Sequence, residues 1–407
     1  MSSLLKESNF LEKLTRIGKK KHFQKKRIVR LLYLNEVSTI SEIIENMELS
    51  TPTIQSLLDE LSAEGLIEVK GSGASKGGRR PILYGLTENS LFIIAIDIGR
   101  ETTRIAIFNN KNEIISGIKY FPIKLENNLK VLNQVIKYTN ETVKNSGIDT
   151  SRIVGVGISM PGLVDYNKGI NHSYLNFDPP PKVILEKEFN RPVFIINDAQ
   201  AKALAEFHYG KAKGKKNVLV IHLGSGLGTG IILNGKPYFG THGFSGEFSH
   251  IPMIDNGYLC TCGKRGCLET VASGMALTRF INNGLKKGEM SAITSLVNGK
   301  LENINYKTVL KAANDGDQFA IKGLQEIGLE LGKGLAILVQ ILNPELIIIG
   351  GKMASAGRYL LSPIEQSLHQ YTIPIICNDV EIVLSELGDK ANLLGSVLYL
   401  MESVFES

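Results

Sequence analysis

The chain has 407 residues, 43% of them hydrophobic and 21% charged, and a net charge of +6. That composition is ordinary for a folded globular protein, the length calls for more than one hydrophobic core, and no uninterrupted apolar run approaches the roughly 20 residues of a membrane span. The N-terminal stretch has no apolar segment followed by a small-residue cleavage site, so no secretory signal and a cytoplasmic location are expected.

In chain order, Lys19, Lys20, Lys21, Lys25, Lys26, Arg27 and Arg30 come first, a basic run without an acid. A second basic knot, SKGGRRP, occupies 75–81. Either knot alone reads as a solvated face, but two of them flanking one small helical unit point to a phosphate backbone as partner. Residues 24–35 place Ile28, Leu31, Leu32 and Leu34 at roughly helical spacing. A short second helix, capped by Thr39 or Ser41, turns Ile40, Ile43, Ile44 and Met47 inward. A third starts after Ser50, with Pro52 in its first turn, Ile54, Leu57, Leu58 and Leu61 as its buried stripe and Gly65 as its stop. Three short helices with so tight a turn between the last two have helix-turn-helix spacing.

A β-hairpin follows, LIEVK and ILYGL joined by a glycine-rich basic tip, which has the form of a wing. The third helix would enter a major groove. Thr51, Thr53, Gln55 and Ser56 at its exposed start are the candidate base readers, Gln suiting adenine. Lys76, Arg79 and Arg80 in the wing would approach the DNA, arginine suiting a narrow minor groove. A winged helix can also serve protein contact, but helix, turn, wing and both basic knots agree on DNA. The predicted organisation is therefore a DNA-binding domain over 1–88 and a second domain over 89–407.

From Leu91 onward strands alternate with helices, the pattern of α/β layers. Phe92–Lys111 is repeated, 125 residues later, by Asn217–Lys236: Gly99 matches Gly224, Asn109 matches Asn234 and Lys111 matches Lys236. Each copy reads strand, glycine turn, strand, polar turn, and two related halves predict two lobes with a ligand cleft between them. Three of the four cysteines then fall within eight residues. His250, Cys260, Cys262 and Cys267 form a one-His, three-Cys set suited to a closed, structural tetrahedral Zn²⁺, one per chain, in a loop spanning about 246–269. Gly263 and Gly266 let that loop wrap an ion, and fixing His250 would also fix Glu247 and Glu269. Cys377 stands apart and reads as core. The apolar helix near 328–342 is either core or part of a subunit interface.

The stretches DIG (97–99), GVGISMPGLVD (155–165), NDAQAKALAE (197–206), LGSGLGTGIILNG (223–235), GEFSH (246–250), CTCGKRGCLE (260–269) and IIIGGKMASAG (347–357) together span nearly all of residues 91–407. They resemble the ROK family, which groups bacterial repressors and sugar kinases on a two-lobe, actin-like ATPase fold. With the winged helix in front, the whole chain resembles that family's repressor branch, often called NagC/XylR-like. The resemblance implies an α/β fold with an N-terminal winged helix-turn-helix. It also implies a monosaccharide effector held by Asn197, Asp198, Glu247, His250 and Glu269, and a homodimer or homotetramer on operator DNA. Ser249 stands where the family usually has glycine, Phe177 where it often has tryptophan, and Ser173 where its kinases have asparagine.

The implied function is a sugar-responsive transcriptional repressor. The alternative is an ATP-dependent sugar kinase carrying a DNA-binding module, in which Asp198 would be the general base. The second glycine turn, Gly224–Gly230, is intact, but the first reads DIGRE where the kinases read DIGGT. Arg100 is bulky where a backbone must approach phosphate. Glu101 adds a negative charge whose repulsion is worth roughly 3 kcal/mol per phosphate charge at ~5 Å. On these residues the chain is not expected to be an enzyme.

Overall fold

The computed structural model describes residues 14–74 and 80–406. The first described elements are α1 (Arg16–Asn35), β1 (Val37–Thr39), α2 (Ile40–Met47), α3 (Thr51–Ala63), β2 (Ile67–Ser72) and β3 (Ile82–Leu86). Thr39 closes a full capping box with Glu42 at the start of α2, and Gly65, at φ +70°, turns the chain from α3 into the hairpin. The stripe Ile54, Leu57, Leu58 and Leu61 is buried as predicted. The three strands form one sheet in the order β1-β3-β2.

Three details differ from the sequence reading. Helix α1 begins eight residues earlier than predicted, capped by Thr15, and its inner face is Ile28, Val29, Leu32 and Tyr33, while Leu34 is exposed. Strand β1 was not anticipated; three residues carry too little periodicity to declare a strand. The basic run is also not uniformly outward. Lys25 is buried, with Nζ 2.9 Å from Glu60 and 2.6 Å from Glu64 on the α3 side, and Lys21 pairs with Glu60 as well.

The chain divides into two compact units, one of residues 1–197 and 393–407, the other of 198–392. In the first, β4 (Phe92–Ile98), β5 (Thr103–Asn109), β6 (Lys119–Phe121), β7 (Ile153–Met160) and β10 (Val193–Asn197) make a sheet in the order β10-β7-β4-β5-β6. The small pair β8 (Val164–Asp165) and β9 (Ile170–Asn171) stands beside it. Helices α4 (Leu129–Ser146) and α5 (Pro181–Phe189) cover one face, packing Val131, Leu132, Val135 and Leu185 against Ile94, Ile96, Val156 and Ile158. Gly157 in β7 is needed because a Cβ there would strike the backbone of Ser396, in the chain's last helix.

In the second unit, α6 (Asp198–Tyr209) leads to β11 (Val218–Leu223), β12 (Leu227–Leu233), β13 (Lys236–Tyr238), β14 (Leu346–Gly350) and β15 (Glu381–Leu384), in the order β13-β12-β11-β14-β15. The two sheets have one topology: an antiparallel meander of three strands, then two parallel strands added on the other side of the first. The internal repeat is thus a repeat of structure. Strand alternation splits the second core by face. Leu219, Ile221, Ile347 and Ile349 face one cluster, and Val218, Val220, Leu346 and Ile348 face another with Ala203 of α6.

Helices α7 (Gly274–Lys286), α8 (Tyr306–Asn314), α9 (Gln318–Leu342) and α10 (Arg358–Tyr371) complete that unit, and α11 (Ala391–Glu406) ends the chain. The apolar helix α9 is core. Gly328 and Gly332 let it lie directly against Pro363 and Ser367 of α10, and Leu331, Leu335 and Val339 are fully buried. Among the described residues no helix is long and apolar enough to cross a membrane.

Candidate functional site: a cysteine-histidine loop beside three carboxylates

The loop after β13 is built on glycines that cannot be replaced. Gly246 has φ +85° and presses on the Thr229 backbone in β12, and Gly266, at φ +72°, presses on Ile254. Backbone bonds then fold the segment on itself: Cys260 N to Lys264 O at 2.8 Å, Gly266 N to Tyr258 O at 2.9 Å and Leu268 N to Ile251 O at 3.0 Å. The outcome brings His250, Cys260, Cys262 and Cys267 together, their ligand atoms all within 4.8 Å of one another. His250 Nδ1 is 3.4 Å from Cys260 Sγ, and Cys262 Sγ is 3.6 Å from Cys267 Sγ.

A tetrahedral ion with metal–sulfur bonds of about 2.3 Å and metal–nitrogen bonds of about 2.0 Å would hold its ligand atoms roughly 3.5–3.8 Å apart. The donor set suits Zn²⁺ in its chemistry, and the His250–Cys260 and Cys262–Cys267 distances are close to that spacing. Without a cation, burial first and the neighbouring thiols second push the Cys267 thiol up to about 12. A divalent ion removes that obstacle by stabilising the thiolates.

Beside the loop stand three carboxylates. Glu247 and His250 share one tight turn, and Glu247 Oε2 lies 3.6 Å from His250 Nε2. The imidazole thus turns Nδ1 to the sulfurs and Nε2 to the carboxylate. Glu269, 6% exposed, follows the last cysteine and accepts from Leu227 N at 3.4 Å. Asp198 opens α6, where its Oδ1 accepts from Ala199 N at 3.0 Å and its Oδ2 lies 4.0 Å from Lys202 Nζ. Burial first, then the charges of Asp198 and Glu269, push Glu247 up to about 7. Such a group of acids at several angles is suited to accepting from the hydroxyls of a polyol.

Gln200, which the sequence did not single out, supports this arrangement: it donates to Gly243 O at 2.8 Å and ties the glycine-rich approach to Glu247 onto α6. No motif announces such a bond. Asn197 ends β10 in the first unit, and its Nδ2 donates to Gly162 O at 3.0 Å. Ser173 Oγ accepts from Leu163 N at 3.0 Å, so the residue at the kinase asparagine position braces that loop. Phe177 packs on the core of the first unit.

The two glycine turns differ. In the second, Gly224 N donates to Gly226 O at 3.0 Å, and α7 starts directly on it, Gly274 N donating to Gly224 O at 2.9 Å and Met275 N to Ser225 O at 3.0 Å. In the first, Gly99 N closes on Thr102 O at 3.0 Å, Arg100 is half-buried and Glu101 exposed. Asp97 just before it is 1% exposed: Ser159 Oγ donates to its Oδ1 at 2.9 Å and Arg104 pairs with its Oδ2 at 2.5 Å.

In the winged helix, Thr51 and Ser56 are exposed and Thr53 and Gln55 half-buried. Ser50 sits at the N-cap of α3, but its hydroxyl meets Thr53 Oγ1 at 2.8 Å in place of a backbone N–H. Arg80 is exposed just before β3, whereas Lys76 and Arg79 lie outside the described residues.

Comparison with known proteins agrees with this layout. Residues 93–403 match the ROK family model. The xylose repressor of Caldicellulosiruptor bescii is 31% identical over 93% of this chain and 95% of its own. A glucokinase of Halalkalibacterium halodurans is 33% identical, over 74% of this chain and 92% of its own. Among solved structures, a ROK family transcriptional regulator, homologous to the Escherichia coli MLC protein, superposes with a TM-score of 0.79 at 27% identity, covering 95% of this chain and 97% of its own.

Proposed function

The chain belongs to the ROK family, and from that premise we propose that it is a sugar-responsive transcriptional repressor. It binds operator DNA through the winged helix and a monosaccharide effector through Asn197, Asp198, Glu247, His250 and Glu269. The observation that carries this reading is the pairing, in one chain, of a winged helix-turn-helix with a carboxylate group braced by a metal-ligand loop. The reach of the similarity supports it: the xylose repressor is matched over 93% of the chain, the glucokinase over 74% of it.

Thr51, Thr53, Gln55 and Ser56 read bases, and Lys76, Arg79 and Arg80 hold the wing to the backbone and minor groove. One structural Zn²⁺ sits on His250, Cys260, Cys262 and Cys267. The protein acts as a homodimer or homotetramer, because two winged helices are needed to span two half-sites. Sugar shifts DNA affinity to the extent that it binds two states of the protein unequally. The chain is not a kinase: Arg100 and Glu101 stand in the first glycine turn, and Asp97 is already neutralised by Arg104. Asp198 is then a hydroxyl acceptor and not a base.

The test is calorimetric titration of the zinc-loaded protein with a panel of monosaccharides and, separately, with ATP·Mg²⁺, followed by operator binding with and without the sugar that binds. Sugar binding that changes DNA affinity, without ATP binding, is the expected result. The intact second turn and the glucokinase similarity favour one other reading, an ATP-dependent sugar kinase. ATP binding with turnover of the same sugar would establish it in place of ours.

A further inference from the structure

Helix α3 carries a side-chain pair of which the assignment of base readers names only one member. Gln55 and Asp59 stand one turn apart, and Gln55 Nε2 donates to Asp59 Oδ1 at 2.9 Å. An ionised carboxylate can only accept, so the amide must turn its nitrogen to Asp59 and its oxygen away. A solvated glutamine has no such preference. The contact leaves two groups of Gln55 unused, the second N–H of Nε2 and the carbonyl Oε1. One donor and one acceptor, side by side on a planar amide, are what the major-groove edge of adenine requires: a donor for N7 and an acceptor for N6–H₂.

The surroundings keep that edge accessible. Pro52, Ser56, Asp59, Glu60 and Ala63 line one shallow surface with Gln55, and Ser56 and Ala63 are too short to screen it. Glu60 is neutralised by Lys21 and Lys25. Among the described residues no cation pairs with Asp59, which is exposed. A bare carboxylate on a surface that meets a polyanion lowers affinity by its charge alone. Its presence there needs a compensating role, and orienting Gln55 supplies one.

We propose that Asp59 is a positioning residue that makes Gln55 a reader of adenine. The proposal rests on the DNA-binding reading above. Its test uses the full-length, zinc-loaded protein and duplexes recovered by the wild type from a randomised pool. Each half-site should contain one adenine whose replacement by 7-deazaadenine weakens wild-type binding about tenfold, the loss of one half of a bidentate contact. Gln55→Ala should erase the difference between the two bases.

Asp59→Ala should erase it too, to within twofold, while binding to non-specific DNA is unchanged or tighter because a negative charge has gone. Asp59→Asn, whose carbonyl still accepts, should keep most of the adenine preference. A purely helix-stabilising role for the pair would move the melting temperature and leave the 7-deaza discrimination intact. Full discrimination in Asp59→Ala overturns the proposal while the DNA-binding reading stands. A wild type that recovers no duplex overturns both.

Discussion

Both five-stranded sheets begin with the same strand, turn and strand, yet after the shared glycine the turn between β4 and β5 carries Arg100 and Glu101 where the turn between β11 and β12 carries Ser225 and Gly226. The first has closed on itself, its buried aspartate accepting from Ser159 and paired with Arg104. The second is still bare backbone, with a helix starting directly on it. The second unit also holds the four-ligand loop and three interacting carboxylates. On the proposed reading, one copy of a duplicated scaffold has lost nucleotide chemistry while the other keeps polyol chemistry. A binding site needs only acceptors fixed in place, whereas phosphoryl transfer needs both turns and a base at once.

The largest effect that would sharpen this contrast lies in the metal loop. Cys262→Ser should take bound zinc from about one equivalent to none, and sugar affinity should fall on the order of 100-fold, since the ligands that position Glu247 and Glu269 are lost together. Metal analysis and calorimetry on the same sample check it. Unchanged sugar affinity in the metal-free variant would show that the loop serves something other than the carboxylates. Next in size are the carboxylates themselves. Asp198→Asn or Glu269→Gln should weaken sugar binding roughly 30-fold with zinc still bound, the usual range for a hydrogen bond to a charged group.

A smaller effect tests the other side of the contrast. Arg100→Gly combined with Glu101→Thr should raise ATP·Mg²⁺ affinity about tenfold, because it removes one repulsive charge near the phosphates and restores close backbone approach. Arg104 would still neutralise Asp97, so no turnover is expected. An ATP affinity unmoved by the double change would place the lesion at Asp97 and not in the turn.

These contrasts were unequally visible in the sequence. The stripe of α3, the shared strand-turn-strand repeat and the cluster of His250 with three cysteines could be read directly, because each is a local pattern with a fixed period or spacing. The lower part of α1 could not: its first eight residues are mostly basic, and their helix is held by Lys21 and Lys25 reaching Glu60 and Glu64 some forty residues away. That partnership also corrects the view of the basic run as wholly phosphate-facing. Asp97 and Arg104 are seven residues apart in sequence, yet they meet only because β4 and β5 pair with Asp97 opposite Arg104. The Gln200 brace on Gly243 likewise depends on a loop returning to a helix. Tertiary pairs of this kind leave no periodic trace.

The smallest predicted effect concerns Glu247 and separates the loop with metal from the loop without it. In the metal-free chain burial and two neighbouring carboxylates push Glu247 up to about 7, above the ordinary carboxylate range. Between that range and 7 the folded chain keeps a proton that the unfolded chain releases, so stability falls as pH rises through this window and levels off above it. Metal-free protein should therefore lose roughly 2–4 °C in melting temperature between pH 5 and pH 8 from this group. Zinc held by His250 and the three cysteines would add positive charge near the carboxylate, and the same pH step should then have less effect. Glu247→Gln removes the titrating group and should flatten the metal-free profile. If the metal-free variant and the metal-free wild type lose stability equally over this range, the strain lies elsewhere in the loop, and the protonated thiols become the group to test.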